Sequence, residues 1–303
     1  MQTTKTKTKN AVETSGLGKR YRSFWALKDC NITIPQGAVS ALVGPNGAGK
    51  TTLLKLLVGL NMPSAGTAIV LGRTPSQTTG YLSDIGYLAQ EIPLYKQFTA
   101  QDHFAIGAHV DPNWDNELAQ KRLSELKIPL DRPIGKLSGG QQAQVGLAMV
   151  LAKKPKLLLL DEPVAALDPL ARMDFLASLA QAVTDADGEL TVVMSSHLLA
   201  DLERVCDRVI ILAAGETQLC DGIERVLKTH KLLVGPSEKL PSNDGFTVIK
   251  ETRSSTATHA LIRLKDPKLH VPNWHVRDVD IEEIVLAYMG HSRDEAMAKG
   301  DAR

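Results

Sequence analysis

The sequence of 303 residues predicts an α/β fold, on the strength of three observations. Residues 39–43 form an apolar run typical of a buried strand, and leucines at helical spacing follow the glycine-rich turn at residues 44–51. A second apolar run, residues 156–160, is continuous, as expected of a parallel strand that is buried on both faces. Between them, residues 93–154 carry mainly helical periodicity. The sequence therefore predicts an α/β core that is interrupted by an inserted helical subdomain.

Charge and cysteine content indicate which partners and which cellular compartment to expect for the protein. The net charge is +1 and the acidic and basic residues are mixed, so we expect no nucleic-acid surface. The three cysteines form no C-x-x-C pair, which indicates a reducing compartment such as the cytosol. We expect no secretory signal peptide, and no apolar run approaches the roughly 20 residues that cross a bilayer. If the protein works at a membrane, we expect another chain to supply the span.

The N-terminal part is expected to begin with a disordered tail over residues 1–11. Between residues 17 and 35, short stretches with β-branched and aromatic residues predict antiparallel strands. Tyr21 lies there among basic residues. It is either an ordinary edge-strand residue or an aromatic face on which an adenine base stacks.

The turn at residues 44–51 has the pattern Gly-x-x-x-x-Gly-Lys-Thr between a strand and a helix, which is the context of a phosphate-binding loop. Glycines let backbone N–H groups approach phosphate oxygens closely, and the helix that follows presents its positive N-terminal end. Lys50 is expected to reach the β- and γ-phosphates, and the Thr51 hydroxyl is expected to bind Mg²⁺. The sequence therefore predicts a nucleotide site at this turn.

Polar residues follow other predicted strands of the core. Asp161 and Glu162 come directly after the apolar run at 156–160, at the strand end that faces the ligand crevice of an open α/β sheet. We expect Asp161 to hold Mg²⁺ and Glu162 to polarise an attacking water; a simple acidic turn is the alternative. His197 follows another strand, where contacts to a γ-phosphate would be made.

A second helix start, at residues 137–141, has the sequence Leu-Ser-Gly-Gly-Gln. Ser138 followed by two glycines at the start of an apolar helix predicts a second phosphate-binding terminus. One nucleotide rarely needs two such sites in one chain. We therefore expect a site that is shared between two subunits.

In their order and spacing these motifs resemble those of the nucleotide-binding subunits of ABC transporters, over about residues 12–225. The resemblance implies a P-loop NTPase core of the ABC type, with an antiparallel β subdomain and the helical insertion. It implies that ATP is bound by Tyr21, the Walker A residues Gly44, Pro45, Asn46, Gly47, Ala48, Gly49, Lys50, Thr51 and Thr52, the signature residues Ser138, Gly139, Gly140 and Gln141, and the D-loop residue Asp168. The residues that hold Mg²⁺ would be Thr51, Gln90 and Asp161. The catalytic residues would be Glu162, His197, Lys50 and Gln90.

The same resemblance implies the partners of the chain. Two copies would meet head to tail, with the signature of each closing over ATP on the Walker A loop of the other. A separate transmembrane permease would hold this dimer at the cytoplasmic face of the cell membrane, and ATP hydrolysis by the dimer would drive transport through it. We expect no nucleic-acid partner.

The last part of the chain, residues 228–303, is predicted to be a small α+β accessory domain after an ATPase domain at 12–227. Short strands are expected at residues 232–234, 246–249 and 260–264. A closing helix begins near Ile281, with Asp280 and Glu283 as a capping pair. This helix resembles one common in subunits that serve drug, lipid and polysaccharide exporters, which favours export.

One alternative is a soluble ABC-type ATPase that acts on ribosomes or DNA. Ribosome-acting relatives usually carry two cassettes and a basic linker, and DNA-acting ones a long coiled coil, whereas this chain has a single cassette with neither. Another alternative is a regulator that binds a nucleotide without hydrolysing it. The presence of Glu162 and His197 argues against this alternative.

Two departures from the family pattern, Ala165-Ala166 in the D-loop and Ala143-Gln144 after the signature, predict weaker closure of the dimer and slow turnover.

Overall fold

The computed structural model describes residues 9–196, 205–236, 240, 245–265 and 273–298. These residues form three sheets with helices packed between and against them. None of the helices in the described ranges combines the length and the apolar character that crossing a bilayer requires.

The N-terminal sheet is antiparallel, as the sequence predicts. Its long strand β1 (Asn10–Tyr21) pairs with β2 (Phe24–Cys30), β3 (Thr33–Pro35) and β5 (Ala65–Val70). Asn10 and Ala11, which were predicted to belong to the disordered tail, are part of β1. Ala11 is fully buried there, which explains why the strand starts before the predicted boundary.

The central sheet has the order β10-β9-β4-β8-β7-β6. Its strands are β4 (Val39–Val43), β6 (Ile85–Leu88), β7 (Leu157–Asp161), β8 (Thr191–Ser196), β9 (Arg208–Ala213) and β10 (Glu216–Gly222). All neighbours are parallel except β9 and β10. Because β4, β7 and β8 run in one direction, their carboxyl ends meet at one edge of the sheet.

Both faces of the central sheet are covered by apolar side chains. On one face, α1 (Lys50–Leu57) packs between the central and N-terminal sheets. On the other face lie α5 (Gly139–Leu151) and α6 (Pro169–Asp185). Every residue of β4, β7 and β8 is buried, which accounts for the mainly apolar sequences of these strands.

The helical insertion begins after β6. A single-turn helix, α2 (Thr79–Leu82), precedes that strand, and α3 (Ala100–Val110) and α4 (Asn116–Glu125) follow it and pack with α5. Thr99 and Asp102 form a capping box at the start of α3. Helix α4 ends at Glu125, since Lys127 adopts a left-handed conformation (φ 54°) that an α-helix cannot include.

The C-terminal region contains a third sheet, of order β12-β13-β11-β14. Its elements are α7 (Ile223–Thr229), β11 (His230–Gly235), β12 (Phe246–Arg253), β13 (Thr258–Leu264), β14 (His275–Arg277) and α8 (Ile281–Ala298). Asp280 and Glu283 exchange the capping hydrogen bonds expected at the start of α8. Ile284 of α8 is fully buried in the same apolar cluster as Val209 and Ile211 of β9. The last helix is thus packed into the core of the central sheet.

Candidate active site

The loop between β4 and α1 has a backbone that only glycine can adopt at two positions. A Cβ on Gly44 would lie 2.2 Å from the carbonyl oxygen of Leu212, so the loop passes directly over β9. Gly49 has φ 101°, and a Cβ there would lie 2.5 Å from the carbonyl oxygen of Ala26. Both glycines let the loop lie close to neighbouring backbone and turn sharply into α1.

Within the described part of the chain, no side chain caps the N–H groups in the first turn of α1. Gly49 is the N-cap and has no side chain that could accept from them, and the turn carries no acidic residue. The positive end of the helix is therefore available to an anion.

A cleft of about 700 Å³ opens in front of this helix start. Its volume is in the range of pockets that hold nucleotide-sized ligands. It is lined by the loop and α1 residues Asn46, Gly47, Ala48, Gly49, Lys50, Thr51 and Thr52, by Gln90 and Glu162, and by Phe24, Ala26, Ala165 and Ala166. The fold thus brings the predicted loop together with Gln90, which follows β6, and Glu162, which follows β7.

Lys50 is the buried cation of the cleft, with a side chain only 5% exposed. Its Nζ donates to the carbonyl oxygens of Gly44 at 2.8 Å and Pro45 at 3.4 Å. It also lies 3.1 Å from Oε1 of Glu162. A buried ammonium group requires such acceptors, because desolvation without a partner costs several kcal/mol. The two charged residues predicted to act on phosphate and water therefore face each other directly.

Asp161, the last residue of β7, is not among the residues that line the cleft. It is 1% exposed, and its Oδ1 accepts a hydrogen bond from the Ser195 hydroxyl. Of the three residues expected to hold Mg²⁺, Thr51 and Gln90 line the cleft, whereas the continuous β7–β8 pairing buries the strand end at Asp161. Burial, and secondly the charge of Asp161, raise the pKa of the Tyr87 phenol to about 12.

Ser195 is a residue that sequence reasoning did not single out. It lies opposite Asp161 in the β7–β8 ladder and contacts both Asp161 and the backbone of Glu162. The available signal was its place at the end of an apolar strand, two residues before His197.

The aromatic residue in the cleft wall is Phe24, and Tyr21 is absent from that wall. The two are cross-strand partners at the tip of the β1–β2 hairpin. The hydroxyl of Tyr21 accepts a hydrogen bond from Asn61 Nδ2 at 2.9 Å, and the Lys19 ammonium lies 5.3 Å from its ring centroid. These contacts hold the Tyr21 side chain toward the segment after α1. The sequence signal that could have identified Phe24 is the pair of aromatic residues, Tyr21 and Phe24, on either side of a two-residue turn.

The signature residues form a separate surface outside the cleft of their own chain. Ser138 caps α5: its Oγ accepts from the N–H of Gln141 at 3.2 Å, and its own N–H donates to Gln141 Oε1 at 3.0 Å. Asp168 caps α6, and a Cβ on Gly140 would lie 2.6 Å from Cβ of Ala171 in that helix. The starts of α5 and α6 are therefore adjacent, and none of Ser138, Gly139, Gly140, Gln141 and Asp168 lines the cleft.

His197 lies outside the described residues. It follows Ser196, the last residue of β8.

Comparison with known proteins points to one family. A family model described as ABC transporter matches residues 27–165. An uncharacterized ABC transporter ATP-binding protein of Nostoc sp. is 38% identical over 237 residues, covering 73% of this chain and 69% of that protein. The sulfate/thiosulfate import ATP-binding protein CysA of Pseudomonas aeruginosa is 34% identical over 214 residues, covering 68% of this chain and 64% of that protein.

Solved structures with the same fold include a dimeric ATP-binding cassette in a post-hydrolysis state bound to ADP and Pi. Its TM-score is 0.62 at 26% identity, and the match covers 70% of this chain and 98% of that one.

Proposed function

Because the chain belongs to the ABC transporter family of ATP-binding subunits, we propose that it hydrolyses ATP to drive a transporter whose membrane-spanning part is a separate chain. The observation that carries this proposal is the cleft in which Lys50 and Glu162 face the glycine-rich loop. The cleft combines a cation that would contact phosphate, a carboxylate that would orient water, and backbone N–H groups that no described side chain caps.

In the proposed reaction the triphosphate lies along the loop. Lys50 and the N–H groups of the first turn of α1 stabilise the negative charge that develops on the transferring phosphoryl group. Glu162 orients the attacking water and accepts its proton. His197 is proposed to contact the γ-phosphate, as the family resemblance implies.

The residues at the cleft suit Mg²⁺. Thr51 and Gln90, which carry a hydroxyl and an amide oxygen, line the cleft, and the buried Asp161 directly precedes the cleft residue Glu162. Mg²⁺ prefers oxygen ligands and is usually held by one or two carboxylates together with substrate phosphates. When bound, the ion would neutralise charge between the β- and γ-phosphates. We propose Thr51, Gln90 and Asp161 as the residues that hold it.

A head-to-tail homodimer is proposed because the two phosphate-binding termini do not share one cleft. Ser138 and Gly139 are exposed at the start of α5, outside the cleft of their own chain. A second copy would bring these donors to the open side of the nucleotide, with Asp168 beside them at the start of α6. The chain carries both halves, so two identical copies suffice.

The surface proposed for the membrane partner lies on the helical insertion. Tyr95 and Phe98 are 66% and 41% exposed, and their rings are 5.3 Å apart. His103 stacks against Tyr95 at 6.0 Å and holds this exposed aromatic pair in place. We propose that a transmembrane permease docks here and keeps the subunit at the cytoplasmic face of the membrane. The direction of transport, export, stays a prediction that rests on the closing helix alone.

Purification from detergent-solubilised membranes tests this proposal. The tagged chain is expected to recover a multi-span membrane protein, and the complex is expected to hydrolyse ATP when Mg²⁺ is present. Replacing Tyr95 and Phe98 together with alanine should reduce this recovery, while Leu286→Ala, at an exposed position of α8, should not. Recovery of ribosomes or DNA in place of a membrane protein would contradict the proposal and favour the soluble alternative.

Adenine stacking at the hairpin tip is a separate prediction. We propose Tyr21 as the stacking ring, from the family resemblance, with Phe24 completing the wall. Tyr21→Ala is expected to raise the Kd for ATP roughly 2- to 12-fold, because an aromatic stack contributes about 0.5–1.5 kcal/mol. Tyr21→Phe keeps the ring and loses only the bond to Asn61, so it should bind like the parent. The Kd values are measured by equilibrium titration. If Phe24→Ala loses affinity for ATP and Tyr21→Ala does not, the adenine base stacks on Phe24 and not on Tyr21.

A further inference from the structure

The Ser195 hydroxyl connects the two carboxylate residues at the end of β7. Its oxygen accepts a hydrogen bond from the backbone N–H of Glu162 at 2.8 Å and donates one to Oδ1 of Asp161 at 2.9 Å. Ser195 is fully buried, at 0% exposure. A hydroxyl has a single proton, so its donor capacity is committed to Asp161 while one lone pair serves Glu162.

The register between β7 and β8 places Ser195 beside Asp161. Asp161 and Ser195 are paired in the parallel β7–β8 ladder, so the Ser195 side chain lies where the ladder ends and the chain turns away. Glu162 makes that turn with φ 47°, a left-handed conformation that is unfavourable for a residue with a side chain. Such a conformation persists only when neighbouring contacts hold it. The bond from Glu162 N–H to Ser195 is one of those contacts.

We propose that Ser195 is a positioning residue, whose one hydroxyl fixes both the orientation of the Asp161 carboxylate and the backbone turn that carries Glu162. The proposal rests on the proposed function, in which Asp161 helps to hold Mg²⁺ and Glu162 orients the water. Ser195 acts through these two residues and is too deeply buried to touch substrate. Residues that orient metal-binding side chains in this way typically contribute 10- to 100-fold in activity or metal affinity.

The direct test is Ser195→Ala in the full-length chain. The variant is expected to lower kcat roughly 10- to 100-fold and to raise the Mg²⁺ concentration that gives half-maximal activity. The KM for ATP should change by no more than about twofold, because Lys50 and the loop are untouched. Ser195→Thr retains a hydroxyl at the same position and should restore most of the rate.

A second measurement is independent of turnover. Without nucleotide or metal, hydrogen–deuterium exchange at the Glu162 amide is expected to be faster in Ser195→Ala than in the parent, because the amide loses its acceptor.

Ser40 provides a matched control. It is another fully buried serine of the same sheet, on β4, and its hydroxyl has no hydrogen-bond partner within the described part of the chain. Ser40→Ala therefore removes an equivalent hydroxyl without breaking a contact. It should leave kcat, the Mg²⁺ requirement and the exchange of Glu162 at parental values.

The positioning role is overturned if Ser195→Ala keeps the parental kcat and the parental exchange rate. It is equally overturned if Ser40→Ala loses as much activity, or if a stably folded Ser195→Thr is as slow as the alanine variant. Failure of the proposed function looks different: the parental chain would not hydrolyse ATP at all. In that case the exchange measurement alone still decides whether Ser195 holds the turn at Glu162.

Discussion

Replacing Glu162 with glutamine is expected to lower the rate of ATP hydrolysis roughly 10²- to 10⁴-fold, the range that a positioned general base contributes. Glutamine keeps the size of the side chain but cannot accept the proton of the attacking water. ATP binding should persist, because Lys50 and the loop N–H groups are unchanged and one negative charge facing the phosphates is removed. With hydrolysis blocked, the closed dimer should accumulate. Steady-state phosphate release and size-exclusion chromatography with ATP measure the two effects.

Glu189→Gln is the control for this variant. Glu189 is exposed in the loop before β8, so the same change of charge there should leave hydrolysis and the monomer–dimer distribution as in the parent. Hydrolysis at the parental rate in Glu162→Gln would show that another group activates the water, and the role proposed for Glu162 would be wrong.

Loss of the Lys50 side chain is expected to weaken ATP binding by about 2–5 kcal/mol, as for removal of one member of a buried charge pair. Two effects act in the same direction. Lys50→Ala removes the cation that would contact the phosphates, and it leaves the Glu162 carboxylate in the cleft without that partner, where it repels the triphosphate. The measurement is the Kd for ATP by equilibrium titration, together with the thermal midpoint of unfolding to verify folding.

Lys55→Ala is the matched control, because Lys55 lies on the same helix and belongs neither to the loop nor to the cleft wall. Its Kd should equal that of the parent. Unchanged affinity in Lys50→Ala, in a protein that is folded, would contradict the proposal that the loop binds phosphate.

Local sequence patterns predicted the parts of the site that one stretch of chain builds alone. The strand, glycine turn and helix around Lys50 follow from spacing and from the glycine content, and the apolar run before Asp161 predicted a buried parallel strand. The capping boxes at Thr99 and Ser138 depend on residues only three positions apart, so they too are local features of the sequence.

Features that depend on the register between distant strands were not predictable in this way. The contact from Ser195 to Asp161 arises only when β7 and β8 align these two residues, and nothing in either strand alone indicates that register. The choice between Tyr21 and Phe24 for the cleft wall likewise depends on Asn61, which comes from the segment after α1. The closing helix α8 was predicted from the sequence, whereas its packing on β9 was not.

The ion pair between Lys50 and Glu162 has a consequence for the order of events in the catalytic cycle. The pair engages the carboxylate proposed to activate water as a counter-ion of Lys50. An arriving triphosphate offers Lys50 a stronger anion and repels the carboxylate at the same time. In the proposed cycle, ATP binding would therefore release Glu162 from Lys50, so that activation of the water would follow nucleotide binding.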